Sequence, residues 1–551
     1  MTVHAEEKIE KEELVRQADE ELLASLGYKQ EFKRAFSPLE VFGVAFSIQG
    51  LLPSIASVLG FAIPNGGGPA MVWGWAVGSI FTLFGALAMA EIASSAPTSG
   101  GLYYWTYSLS STKWRNLLCW IVGYANTTSG IASIASINWA CAQQIAAAAY
   151  IGSNGTFEAT IPQILDLNSF LQSGIYAALL IVHMAVCSLG TSALARLQTV
   201  YIVLNVMLCL GIIIALPVAT PSEFKNDADF ALFKFVNLSG WPDGFAFILS
   251  FLAPIWTISK SGIPSPWYPT YSRNSGGLDS SVHLSEEATN AATAIPWSIV
   301  SSVTIGGILG TAINVVVAFC MGSDLDTLAQ SDQPMVLIFM NAFGMKGTLA
   351  VWAVSIVVQF MMGSSSLLAT SRQIFAFSRD KALPLSSWLY TINGYTKSPV
   401  NTVIFASILT LVLGTLAFAS TSAVDAVFSI SSTAAYIAFS IPILARVIGN
   451  GSFKPGPFTL GIFGPPIAII AVASMILMGV VFLFPATPTT DITEMNYSVV
   501  VLGGVMVLSL GWYYLPVYGG VHWFTGPVTT IEPSTPDGGG ELFEKEEGSD
   551  K

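Results

Sequence analysis

The stretch Val41–Gly60, VFGVAFSIQGLLPSIASVLG, decides how the rest of the chain is interpreted. It carries no charged side chain, and about 20 apolar residues are what a helix needs to cross a bilayer. Glycines and Pro53 lie inside it, so we predict a helix that is broken near mid-membrane and frees backbone groups there. Close packing of small residues between helices explains the same glycines equally well. The predicted break comprises Ser47, Ile48, Gln49 and Gly50.

The composition of the whole chain is that of a membrane protein. Of the 551 residues, 53% are hydrophobic and 10% are charged, whereas soluble domains carry about 25% charged residues. The net charge of −12 lies largely in two tails, 1–35 and 526–551, which we expect to be disordered and cytoplasmic. Residues 36–525 would form the membrane domain. Neither a basic region for nucleic acid nor a metal-type cysteine spacing is present.

Apolar runs of membrane-spanning length recur along the chain. Their continuity, without alternation of period two, predicts helices rather than barrel strands. The shorter run 334–344 is predicted to be a surface or re-entrant helix. We predict twelve spans, at 38–62, 70–94, 115–146, 172–190, 198–219, 242–285 (interrupted), 295–321, 347–375, 400–419, 423–445, 464–485 and 497–517.

The distribution of Lys and Arg among the short loops predicts the orientation, with both tails in the cytoplasm. Under this assignment the acceptor sequons at Asn154, Asn237 and Asn496 all lie on the outer side, which predicts a glycoprotein. No cleavable signal peptide is visible, so the first span is expected to direct the chain to the membrane.

The sixth span is interrupted like the first. Pro254 precedes Trp256, Thr257 and Ile258, after which the chain becomes polar. Corresponding breaks in the first and sixth spans predict an inverted-repeat transporter with its site near the bilayer midplane. The ring of Trp256 suits an ammonium group, and interior packing explains it equally well. Enzyme motifs are missing, and the chain is not predicted to be an enzyme.

Ionisable residues inside the spans are functional candidates because their burial is costly. Asp279, beyond the second break, would carry a proton, pair with a cation or cap a helix. Glu91, near the inner end of the second span, is interpreted as structural or gating. Glu286 and Glu287 are expected to be solvated or to form a gate. His183 is expected to be a satisfied interior histidine.

Several long motifs carry a family resemblance, among them LGYKQEFKRAFSPLEVFGVAFSIQGLLPSIAS, EIASSAPTSGGLYYW and DSSVHLSEEATNA. Over about residues 26–527 the chain resembles the fungal amino-acid/choline transporter group of the amino acid–polyamine–organocation permeases. The resemblance implies an all-α membrane fold with two inverted five-helix repeats and two further helices. It also implies alternating access, commonly driven by protons, for substrates such as 4-aminobutyrate, choline, polyamines or amino acids.

The resemblance also assigns roles to individual positions. The first family break corresponds to Ser47–Gly50 and the second to Trp256–Ile258, with Asp279 beyond it. Asn205 matches a lysine that replaces a bound sodium ion in some bacterial relatives, which makes it a candidate coupling position. The implied partners are the substrate, H⁺ and the lipid bilayer, with no cofactor or metal. The plasma membrane, or alternatively the vacuolar membrane, is the expected location.

Residues 260–276 depart from the family spacing. These seventeen residues contain three prolines, and proline interrupts a helix. Ser259–Ser261 can be encoded with GTAAGT inside it, and Ser275–Gly276 with a terminal CAG, so we interpret the segment as a translated intron. Its removal restores the family spacing between Ile258 and Asp279. If the segment belongs to the natural protein, the alternative is a non-transporting nutrient sensor or an inactive product.

Overall fold

The computed structural model describes residues 2–32, 34–153, 167–189, 191–258, 280–331, 333–418, 421–449, 453–488 and 496–530. Helices dominate this part of the chain. Its two short strands, β1 (Asn65–Gly66) and β2 (Val236–Asn237), pair in antiparallel fashion. Asp279, the segment 260–276, the sequon at Asn154 and most of the acidic C-terminal tail lie outside the described residues.

The first half of the chain contains eleven of the described α-helices. They are α1 (Thr2–Ser25), α2 (Pro38–Gln49), α3 (Leu51–Ala62), α4 (Gly67–Ser95), α5 (Gly101–Leu109), α6 (Arg115–Gly152), α7 (Leu167–Cys187), α8 (Thr191–Ala219), α9 (Ala228–Leu232), α10 (Asp243–Leu249) and α11 (Leu252–Ile258).

The second half continues the helical pattern after a short 3₁₀ turn at Val282–Leu284. Its helices are α12 (Ala291–Cys320), α13 (Leu325–Ala329), α14 (Pro334–Arg379), α15 (Ser386–Leu389), α16 (Val400–Gly414), α17 (Thr421–Ile448), α18 (Gly464–Val481), α19 (Ser498–Tyr514) and α20 (Gly520–Trp523).

Eight helical segments among the described residues are long and apolar enough to cross a membrane, with α2 and α3 counted as one. Four shorter apolar segments lie at 171–187, 243–258, 400–414 and 498–514. Each predicted span therefore overlaps described helix, the sixth over 243–258. The expected short piece 334–344 is the start of α14, which turns at Gly344 (φ 63°, ψ 178°) before continuing to Arg379.

The first span is broken as predicted, but over fewer residues. Ser47, Ile48 and Gln49 belong to the last turn of α2, and only Gly50 leaves helical geometry, with φ 42° and ψ 61°. This left-handed conformation disfavours side chains with a Cβ, so glycine is the residue that permits the break. Helix α3 then starts at Leu51, and its first N–H groups lack partners within the helix.

Trp256, Thr257 and Ile258 form the last turn of α11. Residues 259–279, which follow them, lie outside the described residues, so the second break stays a prediction. Helix α10 ends at Leu249 and α11 begins at Leu252. Pro254 does not break α11 because it lies in the first turn, where the missing N–H has no helical acceptor to lose.

Small residues allow the helices around the first break to approach closely. At Gly306 of α12 a Cβ would overlap the Gln49 amide, and at Gly310 it would overlap the Trp75 indole. The Trp75 Nε1–H donates to the Gly306 carbonyl at 3.3 Å. Helix α12 therefore lies directly against both α2 and α4, as small residues permit between membrane helices.

The N-terminal segment is not the disordered tail that its composition predicts. Residues Thr2–Ser25 form α1, and the side chains of Tyr28, Phe32 and Phe36 that follow are buried. Phe36 also pairs with the 286–289 segment, since its N–H donates to the Glu287 carbonyl at 3.0 Å. High local charge predicted disorder, but burial of these aromatic side chains favours the folded segment.

Candidate functional site

A cavity lies where α2, α6, α11, α14 and α17 meet. Hydroxyl and amide side chains supply most of its polar surface. The lining residues that carry the argument below are Ile48, Asn126, His283, Ser366, Gln373 and Ser432.

Two of these polar side chains leave a hydrogen-bonding atom without a partner among the described residues. They are the amide nitrogen of Gln373 on α14 and the hydroxyl of Ser432 on α17, and both residues are buried. The Gln373 carbonyl oxygen is occupied, because it accepts from Thr127 Oγ1 at 3.2 Å. A buried donor without an acceptor is costly, so both groups are suited to a ligand that accepts hydrogen bonds.

The predicted residues around the first break surround this cavity unequally. Ile48 lines it, whereas Ser47, Gln49 and Gly50 do not. Gln49 instead extends toward α12 and donates to the Ser302 carbonyl at 3.4 Å. Asn205, the candidate coupling position, donates to the carbonyl of Phe46 at 3.0 Å, one turn before Gly50. Its observed role is to fix the backbone at the end of α2.

Trp256, Thr257 and Ile258, the predicted residues of the sixth span, do not line the cavity, whereas their neighbour Ile255 does. The Trp256 ring is fully buried against Phe428, with centroids 4.9 Å apart, and its Nε1–H donates to Ser136 Oγ at 3.2 Å. The ring therefore packs in the interior, the alternative left open by the sequence. Asp279 precedes the cavity residue Ser280 in sequence but lies outside the described residues.

Two buried ion pairs lie beside the cavity. Arg379 Nη1 and Nη2 contact the two carboxylate oxygens of Glu286 at 3.1 and 3.2 Å. Arg372 Nε contacts Glu287 Oε1 at 2.8 Å. Glu286 also accepts from the Ser99 N–H at 3.0 Å. The expectation of a solvated role for these glutamates is therefore wrong, because both are buried and paired.

Comparison with known proteins identifies the family to which this architecture belongs. A model of the family described as amino acid permease matches residues 36–506. The chain is 38% identical over 524 residues to a GABA-specific permease of Saccharomyces cerevisiae, covering 93% of this chain and 86% of that protein. The chain belongs to the amino acid permease family.

Two further relatives agree with this assignment. An uncharacterised amino-acid permease of Schizosaccharomyces pombe is 36% identical over 517 residues, covering 93% of this chain and 89% of its own length. Amino-acid permease 2 of Neurospora crassa is 30% identical over 515 residues, covering 93% and 90%. The resemblance to the amino acid–polyamine–organocation permeases is confirmed, and the chain is a multi-pass membrane protein of a transporter family rather than an enzyme family.

In this permease Glu91 joins the end of α4 to the segment before α18. Its carboxylate contacts Arg446 Nη2 at 2.5 Å and accepts from Thr459 Oγ1 at 3.1 Å and the Leu460 N–H at 3.0 Å. All of these partners are protein groups outside the cavity. Glu91 therefore ties three segments together, which is the structural interpretation offered by the sequence.

The two ends of the described chain meet on the same side as the ion pairs. The Thr530 N–H donates to the Gly27 carbonyl at 2.9 Å, and the Lys29 N–H donates to Thr530 Oγ1 at 2.7 Å. Asp380 accepts from the Val528 N–H at 2.8 Å. Burial raises the pKa of Asp380 to about 6, against the opposing effect of Arg379.

Asp19 of α1 caps the start of α12. Its carboxylate accepts from the N–H groups of Asn290 and Ala291 at 2.6 and 3.1 Å. Burial raises the pKa of Asp19, while Arg34, whose Nη1 lies 3.7 Å away, lowers it. Burial also lowers the pKa of Arg34. An acidic group near a helix N-terminus is stabilising, so α1 is joined to the membrane helices.

Sequence reasoning did not single out Asn126, His283 and Gln373. Asn126 lies inside an apolar span, and His283 lies in the polar stretch that follows the predicted second break. The spacing of polar residues along α6 was the available signal. Ser129 and Ser133 lie one and two turns beyond Asn126, so these three side chains face one side of the helix.

Proposed function

We propose that this permease is a secondary active transporter that moves a small amino acid or amine by alternating access, coupled to protons. It would cross the membrane twelve times, with two inverted five-helix repeats and two further helices. Both termini would lie in the cytoplasm, and the plasma membrane is the proposed location. The fungal permease relatives, one of them named for GABA, support the substrate class.

The observation that carries this proposal is the polar cavity beside the broken first span. Its wall carries serine, asparagine, glutamine and histidine side chains, and a few polar groups of this kind fix the orientation of a small-molecule ligand. The unpaired Gln373 amide nitrogen and Ser432 hydroxyl offer hydrogen-bond donors to a carboxylate. A substrate with a carboxylate, such as 4-aminobutyrate, is favoured over choline on these grounds.

Alternating access requires a closure on each side of the site, and the buried ion pairs supply the closure on one of them. Glu286 and Glu287 belong to one segment, and Arg372 and Arg379 belong to α14. Separating the segment from α14 would expose the cavity on this side. The pairs are buried, so opening exchanges their mutual contacts for water, which solvates the released charges.

The orientation of the proposed transporter places Asn237 and Asn496 outside the cell. The Asn237 amide nitrogen donates to the Trp241 carbonyl at 2.6 Å, and that of Asn496 donates to the Phe484 carbonyl at 2.9 Å. A glycan attached to either nitrogen would replace one of its two N–H groups. Loss of a mobility shift on glycosidase treatment after Asn237→Gln would identify the modified site.

The proposal is tested with purified protein in liposomes loaded with unlabelled substrate. We expect saturable exchange of labelled 4-aminobutyrate and competition by related amino acids. Gln373→Ala is expected to raise KM by about tenfold, because a substrate carboxylate loses a buried donor. Gln359→Ala is the matched control, since Gln359 lies on the same helix but donates to the Ile137 carbonyl at 3.1 Å.

The competing interpretation is a non-transporting nutrient sensor. A sensor would bind 4-aminobutyrate without exchange or accumulation, so binding with no exchange would overturn the proposed transport. An equal change of KM in the Gln373 and Gln359 variants would contradict the proposal that Gln373 binds the substrate. If no amino acid or amine binds to the protein or is exchanged by it, the proposed function as a whole is overturned.

A further inference from the structure

We propose that His283 is the group that binds the coupling proton, at Nε2, on the wall of the cavity. This inference rests on the proposed transport function and assigns its coupling step to one residue. His283 is 2% exposed and follows Ser280 and Val282 in the turn that leads to the paired glutamates. Among the described residues that line the cavity, it is the one whose side chain ordinarily titrates near neutral pH.

The hydrogen bonds of His283 determine which ring nitrogen takes the proton. Nδ1 lies 2.8 Å from the carbonyl oxygen of Ser99, and Nε2 lies 2.9 Å from Asn126 Nδ2. A carbonyl oxygen only accepts, so Nδ1 carries a hydrogen in both protonation states. In the neutral ring Nε2 is therefore the acceptor and receives a hydrogen bond from the Asn126 amide. Proton uptake takes place at Nε2.

Asn126 can serve both protonation states of the ring. When Nε2 gains a proton it becomes a donor and needs an acceptor in place of the amide NH₂. Rotation of the Asn126 amide about χ2 brings its oxygen to the same position, and this torsion is broad and close to two-fold. The pair thus keeps its hydrogen bond whether the ring is neutral or charged, which a group with one fixed polarity would not allow.

The charges around His283 are largely compensated in pairs. Glu286 and Glu287 on its own segment are joined to Arg379 and Arg372 of α14. Helix α6 contributes the uncharged Asn126, and the described cavity residues of α2, α11 and α17 are also uncharged. On the α5 side the nearby titratable group is Tyr103, which donates to Asp380 Oδ2 at 2.7 Å. The charged groups of the 286–287 segment and of α14 are thus held in ion pairs with each other.

Protonation of His283 would affect the ion pair of Glu286 and Arg379 through the backbone of Ser99. The Ser99 carbonyl accepts from His283, and the Ser99 N–H donates to Glu286, which is paired with Arg379. A positive ring strengthens its bond to the carbonyl because charge-assisted hydrogen bonds are stronger than neutral ones. The proton bound in the cavity and the contact between the 280–287 segment and α14 are therefore linked through Ser99.

The test compares two activities of the same protein in liposomes, with labelled 4-aminobutyrate as the probe. One is exchange at equal pH on both sides, and the other is accumulation driven by a pH gradient. His283→Gln is expected to prevent the internal substrate concentration from rising above the external one, while reducing exchange much less. His183→Gln is the matched control, because the buried His183 is hydrogen-bonded to the Phe360 carbonyl outside the cavity. We expect this variant to accumulate substrate as the wild type does.

A second variant gives a result of opposite sign. Asn126→Asp places a carboxylate against Nε2, which favours the charged ring, so the pH midpoint of accumulation should rise by about one unit or more. Accumulation retained in His283→Gln, or an unchanged midpoint in Asn126→Asp, would overturn the assignment of His283. Absence of exchange in the wild-type protein would instead overturn the transport function on which it rests.

Discussion

The buried pair of Arg372 and Glu287 provides the sharpest test of how buried ion pairs affect the stability of this fold. Both side chains are enclosed, and the 2.8 Å contact from Arg372 Nε to Glu287 Oε1 joins them. Arg372 Nη2 and Glu287 Oε2 have no hydrogen-bond partner among the described residues. Arg372→Met would therefore leave a carboxylate buried with no cation beside it, and Glu287→Met would strand the guanidinium.

The expected magnitude follows from this burial. Removing one member of a buried pair costs about 3–5 kcal/mol, whereas replacing both with apolar side chains is roughly neutral or stabilising. With an unfolding entropy of about 2.1 cal/mol/K per residue, that loss lowers the Tm of a chain of this length by roughly 3–4 °C. We expect each single variant to show at least this decrease and the double variant to recover most of it.

The assay is thermal unfolding in detergent, followed by size-exclusion chromatography with fluorescence detection. Arg16→Met is the control, because the Arg16–Glu20 pair lies on the exposed face of α1 and exposed pairs contribute little. The reasoning is refuted if Arg372→Met has the same Tm as Arg16→Met. It is also refuted if the double variant is as unstable as the sum of the single variants.

Three other results are expected. Gly50→Ala should cost roughly 1–2 kcal/mol, because its φ of 42° is left-handed, and unchanged Tm and exchange would contradict this. Because burial raises the pKa of Asp380 to about 6, the protonated carboxyl group stabilises the folded state at low pH, by roughly 3 kcal/mol. This contribution is lost as the pH rises from about 4 through about 6. Asp380→Asn should flatten that pH dependence of Tm, and an equally steep profile would exclude it. Sequencing of the transcript should show that the codons for 260–276 are absent, whereas their retention would favour the sensor or inactive product.

The positions of the helices could be predicted because hydropathy and length are local properties of the sequence. Gly50 was predictable for a similar reason, since a glycine within an apolar run indicates backbone that other residues avoid. The orientation of side chains was less accessible. Neighbouring helical residues point about 100° apart, so Ile255 lines the cavity while Trp256 packs against Phe428.

The N-terminal segment and His283 show where local reasoning failed. Charge density in residues 1–35 predicted disorder, but Asp19 and Arg34 find partners more than 250 positions away, at 285–291. Such pairings follow from tertiary contacts that a single sequence does not reveal. His283 was missed because the polar residues around it resemble a solvated loop, whereas Ser99 and Asn126 enclose it.

The contact of Asp19 with the start of α12 has a consequence for producing the protein. Removing the residues before position 36 would retain every membrane span and would be a natural choice for purification. It would also remove the acceptor for the N–H groups of Asn290 and Ala291 and uncover the surface beneath Tyr28 and Phe32. Trimming that stops before Asp19 preserves these interactions, so the useful truncation limit is set by this aspartate and not by the first membrane helix.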